Sequence, residues 1–147
     1  WVCMERRVRM STLIRPEISM KNKYWISKHR YYELKHFCLQ YEDWRKMYLI
    51  LTDTSIPSVH TGLEKQAGNH SDPTARRAIL AEDYSRRINI VEKCAKESDD
   101  LLWTYILKGV TENRSYEYLS TKLNMPCCRD TYYDRYRKFF WLLNKER

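Results

Sequence analysis

Arg129-Asp130-Thr131-Tyr132-Tyr133-Asp134-Arg135-Tyr136-Arg137-Lys138-Phe139-Phe140-Trp141 sets Tyr132, Tyr136 and Phe139 at steps of three and four, and Leu143 continues the series. That spacing is one face of an α-helix, with Phe140 flanking the stripe. The opposite face is expected to carry Arg129, Asp130, Tyr133, Asp134 and Arg137. The helix is expected to begin near Cys128 or Arg129. Just upstream, Asn124-Met125-Pro126 is a turn signal, because proline cannot continue the helix before it. That earlier helix runs from Ser115 to Leu123. Ser115 suits its N-cap, Glu117 falls in the first turn where the helix dipole favours an acid, and Leu119 and Leu123 face inward together. A further short pattern, Leu101 to Leu107, buries Leu102 and Ile106 with Trp103 or Tyr105. Gly109 follows where a left-handed C-terminal residue is wanted.

Two short helices, a tight turn and a basic aromatic helix make the outline of a helix-turn-helix unit, here residues 99–147. Such a final helix packs its inner side on the short helices and offers its outer side to a major groove. Arginine there can pair bidentately with guanine, and tyrosine can touch phosphate or a thymine methyl. Arg129, Tyr133 and Arg137 are the candidate base readers, and Arg135 and Lys138 suit phosphate. Asp130 and Asp134 can accept from cytosine or orient a neighbouring arginine.

Upstream, Leu34, Phe37, Tyr41, Trp44, Tyr48 and Leu51 recur at steps of three and four, with Cys38 beside them. This predicts one helix from Ser27 to about Leu51, near 38 Å long at 1.5 Å per residue. Thr52 to His70 has no sustained period and is broken by Pro57, Gly62 and Gly68, which marks a loop over about 52–72. Asp72-Pro73 is a helix start, aspartate accepting from the free amides and proline losing nothing at the first position. The helix it opens, about Pro73 to Glu97, carries Ala81, Tyr84, Ile88, Val91 and Ala95 as its stripe. Ser98-Asp99-Asp100 can end it and cap the next. Two long helices with narrow matching stripes suit an antiparallel hairpin over 24–98, or pairing with a second copy of the chain; both stay open.

The expected fold class is all-α, since three Gly and four Pro in 147 residues are too few breakers for a many-stranded sheet. The net charge of +8, from 27 basic and 19 acidic residues, favours an anionic partner such as nucleic acid. The five cysteines Cys3, Cys38, Cys94, Cys127 and Cys128 are odd in number and form no CxxC pair, so they read as buried thiols in a reducing cytoplasm. His29 and His36 stand seven apart, where a helical metal pair wants four. The chain has no GxSxG, HExxH or glycine-rich phosphate loop. We therefore expect a non-enzyme with no catalytic residues, cofactor or metal. No apolar run approaches the ~20 residues of a membrane helix, and Trp1 to Met20 lacks the apolar core of a secretion signal. Residues 1–23 are expected to be a disordered extension, with Met20 the favoured start.

Tyr105-Ile106-Leu107-Lys108-Gly109-Val110, Ser115-Tyr116-Glu117-Tyr118-Leu119 and Leu123-Asn124-Met125-Pro126 together resemble the region-four helix-turn-helix of sigma factors. Thr131-Tyr132-Tyr133-Asp134-Arg135-Tyr136-Arg137 looks like the recognition helix of phage late-transcription regulators of the RinA and ArpU kind. Lys28-His29-Arg30-Tyr31-Tyr32-Glu33-Leu34-Lys35-His36-Phe37-Cys38-Leu39-Gln40-Tyr41 is similar to the first helix of small prophage proteins that carry such a unit. The resemblance spans about 24–147 and is strongest over 100–143. It departs in the turn, where Thr131 stands five residues after Pro126 and Cys127-Cys128 replace small polar residues. The resemblance implies a cytoplasmic, prophage-encoded regulator in a bacterial host that binds double-stranded DNA. It also implies contact with RNA polymerase, and a homodimer through the long helices is compatible with it. A terminase small subunit for DNA packaging is the first rival. A polymerase-binding module that reads no DNA is the second.

Overall fold

A computed structural model describes residues 20–55 and 72–147. The described residues form six helices and no strand, so the fold is all-α. The helices are α1 (Lys28–Leu39), α2 (Tyr41–Thr52), α3 (Pro73–Ser98), α4 (Trp103–Thr111), α5 (Tyr116–Lys122) and α6 (Arg129–Glu146). Most of the expected 1–23 extension and of the 52–72 loop lies outside the described residues. Met20–Tyr24 form a turn, and the Tyr24 ring meets Trp141 of α6 edge-on at 5.6 Å.

The single helix expected over Ser27–Leu51 is instead two. Gln40 separates α1 from α2, its backbone N–H donating to Phe37 O at 3.2 Å and its side chain to His36 O at 3.2 Å. Its φ of −84° and ψ of −4° stay close to helical values, so the break is a bend of one residue. The apolar stripe continues across it, with Phe37 and Trp44 rings 4.6 Å apart. The bend gives the two halves different partners: α1 lies against α4 and α6, and α2 pairs with α3.

The α2–α3 pair is tied along its length. Tyr41 donates its hydroxyl to Glu92, and the Arg87 guanidinium lies 5.7 Å from the Trp44 ring centre. At the far end Arg77 donates to Leu51 O at 2.7 Å, Ile50 O at 2.8 Å and Asp53 O at 2.9 Å. These are carbonyls at the end of α2, where the helix has unfilled acceptors and the dipole favours a cation. α3 opens as its sequence predicts, with Asp72 Oδ1 accepting from Thr74 N at 3.0 Å and Pro73 in the first turn.

The core lies where α3 meets α6, with α1 and α4 closing it. Val91, Cys94 and Ala95 of α3, Leu34 and Cys38 of α1, Ile106 of α4, Leu119 of α5 and Phe139, Phe140 and Leu143 of α6 are buried. The small side chains of α3 leave room for the large rings of α6. Each such ring or leucine contributes roughly 1.5–3 kcal/mol by leaving water. Cys38 and Cys94 are free thiols in this core, and burial pushes the Cys94 thiol up to about 12.

Candidate nucleic-acid interface

The candidate site is α6 with the two short helices before it. Asp99 prepares α4: its Oδ1 accepts from Leu101 N at 2.8 Å and Leu102 N at 2.9 Å. α4 then runs to Thr111, two residues past Gly109, and the left-handed residue after it is Asn113 at φ 53°. Gly109 is therefore not the helix end expected of it. It is buried inside α4, and a Cβ there would collide with the Tyr132 hydroxyl. Ser115 Oγ accepts from Tyr118 N at 3.2 Å, which makes it the N-cap of α5 as expected. α5 ends at Lys122, Asn124 just beyond it is left-handed at φ 51°, and Met125 N returns to Leu119 O at 3.2 Å. Tyr116 then donates to Cys127 O at 2.9 Å and fixes the segment leading into α6.

α6 begins at Arg129 with Cys128 as its extended N-cap. The inner stripe is the expected one. Tyr132, Phe139, Phe140 and Leu143 are buried, and the Tyr136 and Tyr31 hydroxyls lie 2.9 Å apart. Burial raises the titration of Tyr132 and Tyr136 above the ordinary phenol range. The outer face is less uniform than its sequence suggests. Asp130 is exposed and Asp134 half-buried, but Tyr133 packs its ring against Tyr116, Tyr132 and Tyr136. Its half-buried ring belongs to the seam between α5 and α6, which corrects its placement on the open face.

The cations of α6 divide by what holds them. Arg129 Nη1 lies 3.1 Å from Glu117 Oε1 of α5, and its guanidinium sits 5.5 Å from the Tyr133 ring centre. Arg135 Nε meets Asp99 Oδ2 at 3.1 Å, and its Nη1 meets Asp134 Oδ2 at 3.3 Å. Asp134 thus orients a neighbouring arginine, the second of the two roles its sequence position allows. Arg137 and Lys138 have no acidic partner among the described residues. The Nε of Arg137 is buried and meets no protein acceptor. Lys138, Arg135 and Asp99 line a shallow cleft at the α3–α4 junction together with Glu97, Asp100 and Leu101.

Two carboxylates of this site, Asp99 and Glu117, were read from the sequence only as helix-start residues. Their second role is to hold arginines 36 and 12 residues away, for which no local pattern exists. The cysteines also differ from the buried set expected. Cys38 and Cys94 are buried, Cys127 is half-buried and Cys128 is exposed, while Cys3 lies outside the described residues. The Thr131 hydroxyl, 3.1 Å from Cys128 Sγ, lowers that thiol's pKa most, helped by the Thr131 and Asp130 amides. His29 and His36 are both exposed on α1. No group of three or more metal-ligating side chains is found among the described residues, and none of their helices is long and apolar enough to cross a membrane. No family model, curated protein or solved structure matches the chain.

Proposed function

We propose that this chain is a non-enzymatic double-stranded-DNA-binding protein, a transcription regulator of the phage type, with α4, α5 and α6 as its helix-turn-helix. α6 would lie in the major groove, α5 would cross the backbone, and the α2–α3 pair would hold a second copy or RNA polymerase. The observation that supports it most is the pair Arg137–Lys138. They are successive cations on a helix rich in carboxylate contacts, yet neither has an acidic partner among the described residues. Arg129 adds a third cation whose one carboxylate partner is exposed. The net charge of +8 favours the same class of ligand. The role in transcription, as distinct from packaging, rests on the resemblance of 105–126 to sigma region four.

Binding of a duplex should weaken steeply with salt. Three phosphate contacts give a slope of about −2.7 in log K against log salt, hence about fortyfold weaker binding between about 50 and 200 mM. A salt titration of fluorescence anisotropy measures this, and an affinity unchanged over that range discards the reading. Arg137→Ala with Lys138→Ala should weaken binding at least about tenfold at low salt while leaving the unfolding midpoint in place.

A second reading has one observation of its own. Met47, Leu49 and Ile50 of α2 and Ile79 and Leu80 of α3 are exposed at the end of the pair that Arg77 ties together. An apolar end of this kind suits a protein partner, as a polymerase-binding module without DNA reading would require. Co-purification with RNA polymerase, in a chain that binds no duplex at low salt, selects that module.

A further inference from the structure

The two arginines of α6 that pair with carboxylates from outside the helix are held in different ways. The Arg129–Glu117 pair is open to water, with side chains 48% and 55% exposed. The pair bridges the first residue of α6 to the second of α5, across the whole connecting turn. In the Arg135–Asp99 pair the side chains are 34% and 20% exposed, and Asp99 is also engaged by two backbone amides. Breaking the second pair would disturb the start of α4. Breaking the first costs only one exposed bond, and the Tyr133 ring continues to support the guanidinium.

We propose that Glu117 is an internal stand-in for phosphate, which occupies Arg129 in the free protein and must release it when DNA binds. This rests on the DNA-binding reading above and deepens it, since it makes Glu117 a residue that sets affinity without itself touching DNA. A carboxylate and a phosphate present the same paired acceptors to a guanidinium, so one replaces the other with little movement. Glu117 also leaves a negative charge beside the incoming backbone. Arg135 does not exchange in this way: Asp99 keeps it, and it serves to fix α6 on the α3–α4 junction.

The test is a double-mutant cycle on Glu117→Gln and Arg129→Gln, read by anisotropy with a fluorescent mixed-sequence duplex of about 20 base pairs at low salt. Glu117→Gln alone should tighten binding by about 1.5- to fivefold, the range set by one exposed ion pair. In the Arg129→Gln background the same change should give a clearly smaller gain, since only the charge beside the backbone is then removed. Thermal melts of the four proteins establish that each is folded. Unchanged affinity in the single variant overturns the proposal, and so does an equal gain in both backgrounds, which would be a simple effect of charge. A native protein that binds no duplex at low salt overturns the DNA-binding reading itself, an outcome distinct from the other two.

Discussion

The hydroxyl of Tyr132 is buried, has no protein partner, and stands where a Cβ at position 109 would go. A glycine was needed there for closeness of packing, with no demand on its backbone angles. Gly109→Ala should destabilise the protein by about 1–3 kcal/mol, the usual cost of forcing an extra carbon into a filled core. Tyr132→Phe removes an unpaired buried polar atom and should be close to neutral. In the Tyr132→Phe background, Gly109→Ala should change sign and stabilise by about 0.5–1 kcal/mol, because alanine is then only a better helix former. Denaturant midpoints of the four proteins decide it. A cost for Gly109→Ala that persists without the hydroxyl would show that the neighbours left behind, the ring carbon Cζ of residue 132 at 3.4 Å and Leu119 at 3.5 Å, are the obstacle. The sequence placed Gly109 near a helix end on local grounds, and no local rule could reveal a collision with a residue 23 positions later.

At the scale of elements, Asp99 joins three helices: it follows α3, caps α4 and grips α6 through Arg135. Burial acts to raise its carboxyl pKa, but the Leu102 and Leu101 amides outweigh that, with Arg135 assisting, so it titrates below the ordinary carboxylate range. A carboxyl depressed in the folded state contributes stability that is fully present above its unfolded pKa, near 3.8, and is lost as pH falls through the lower folded value. Asp99→Ala should therefore cost about 1–2 kcal/mol at neutral pH. That difference should shrink once the pH drops below ~4, as melts of both proteins across acid pH would show. A gap that stays constant into strong acid would mean the loss is one of packing. Helix starts were the elements most legible in advance. Asp72-Pro73, Ser115 and the start of α6 are local signals and fell where the sequence put them. The bend at Gln40 was hidden because glutamine is an ordinary helix former and the stripe of Phe37, Tyr41 and Trp44 keeps its step across it.

For the whole molecule, the apolar stripes named the buried side of every helix but left open which helix each one meets. In place of two long helices, α2 packs against α3, and beyond the bend α1 joins α4 and α6. The outer face of α6 was the least legible part, since the state of each arginine depends on carboxylates brought in by other helices. Assembly is the matching question at this scale. If the exposed end of α2–α3 is covered by a second copy, the chain should sediment well above its 18.0 kDa mass. Ile50→Lys with Leu80→Lys should then return it to monomer mass. A native chain that already sediments as a monomer at micromolar concentration discards the homodimer.

The two core thiols give the fold a built-in record of its own opening. Cys38 on α1 and Cys94 on α3 lie in the same buried cluster and carry thiols whose ionisation burial suppresses. A reagent that alkylates thiolates reaches them only during excursions in which that cluster comes apart. Their labelling rate, set against the rate in the denatured chain, therefore reads the free energy of opening under fully native conditions. Cys128, open to water at the start of α6, reacts without waiting for any such excursion and times the reagent itself. A change on α6 that slows Cys94 but leaves Cys128 alone would mean that the outer surface and the interior are energetically one body.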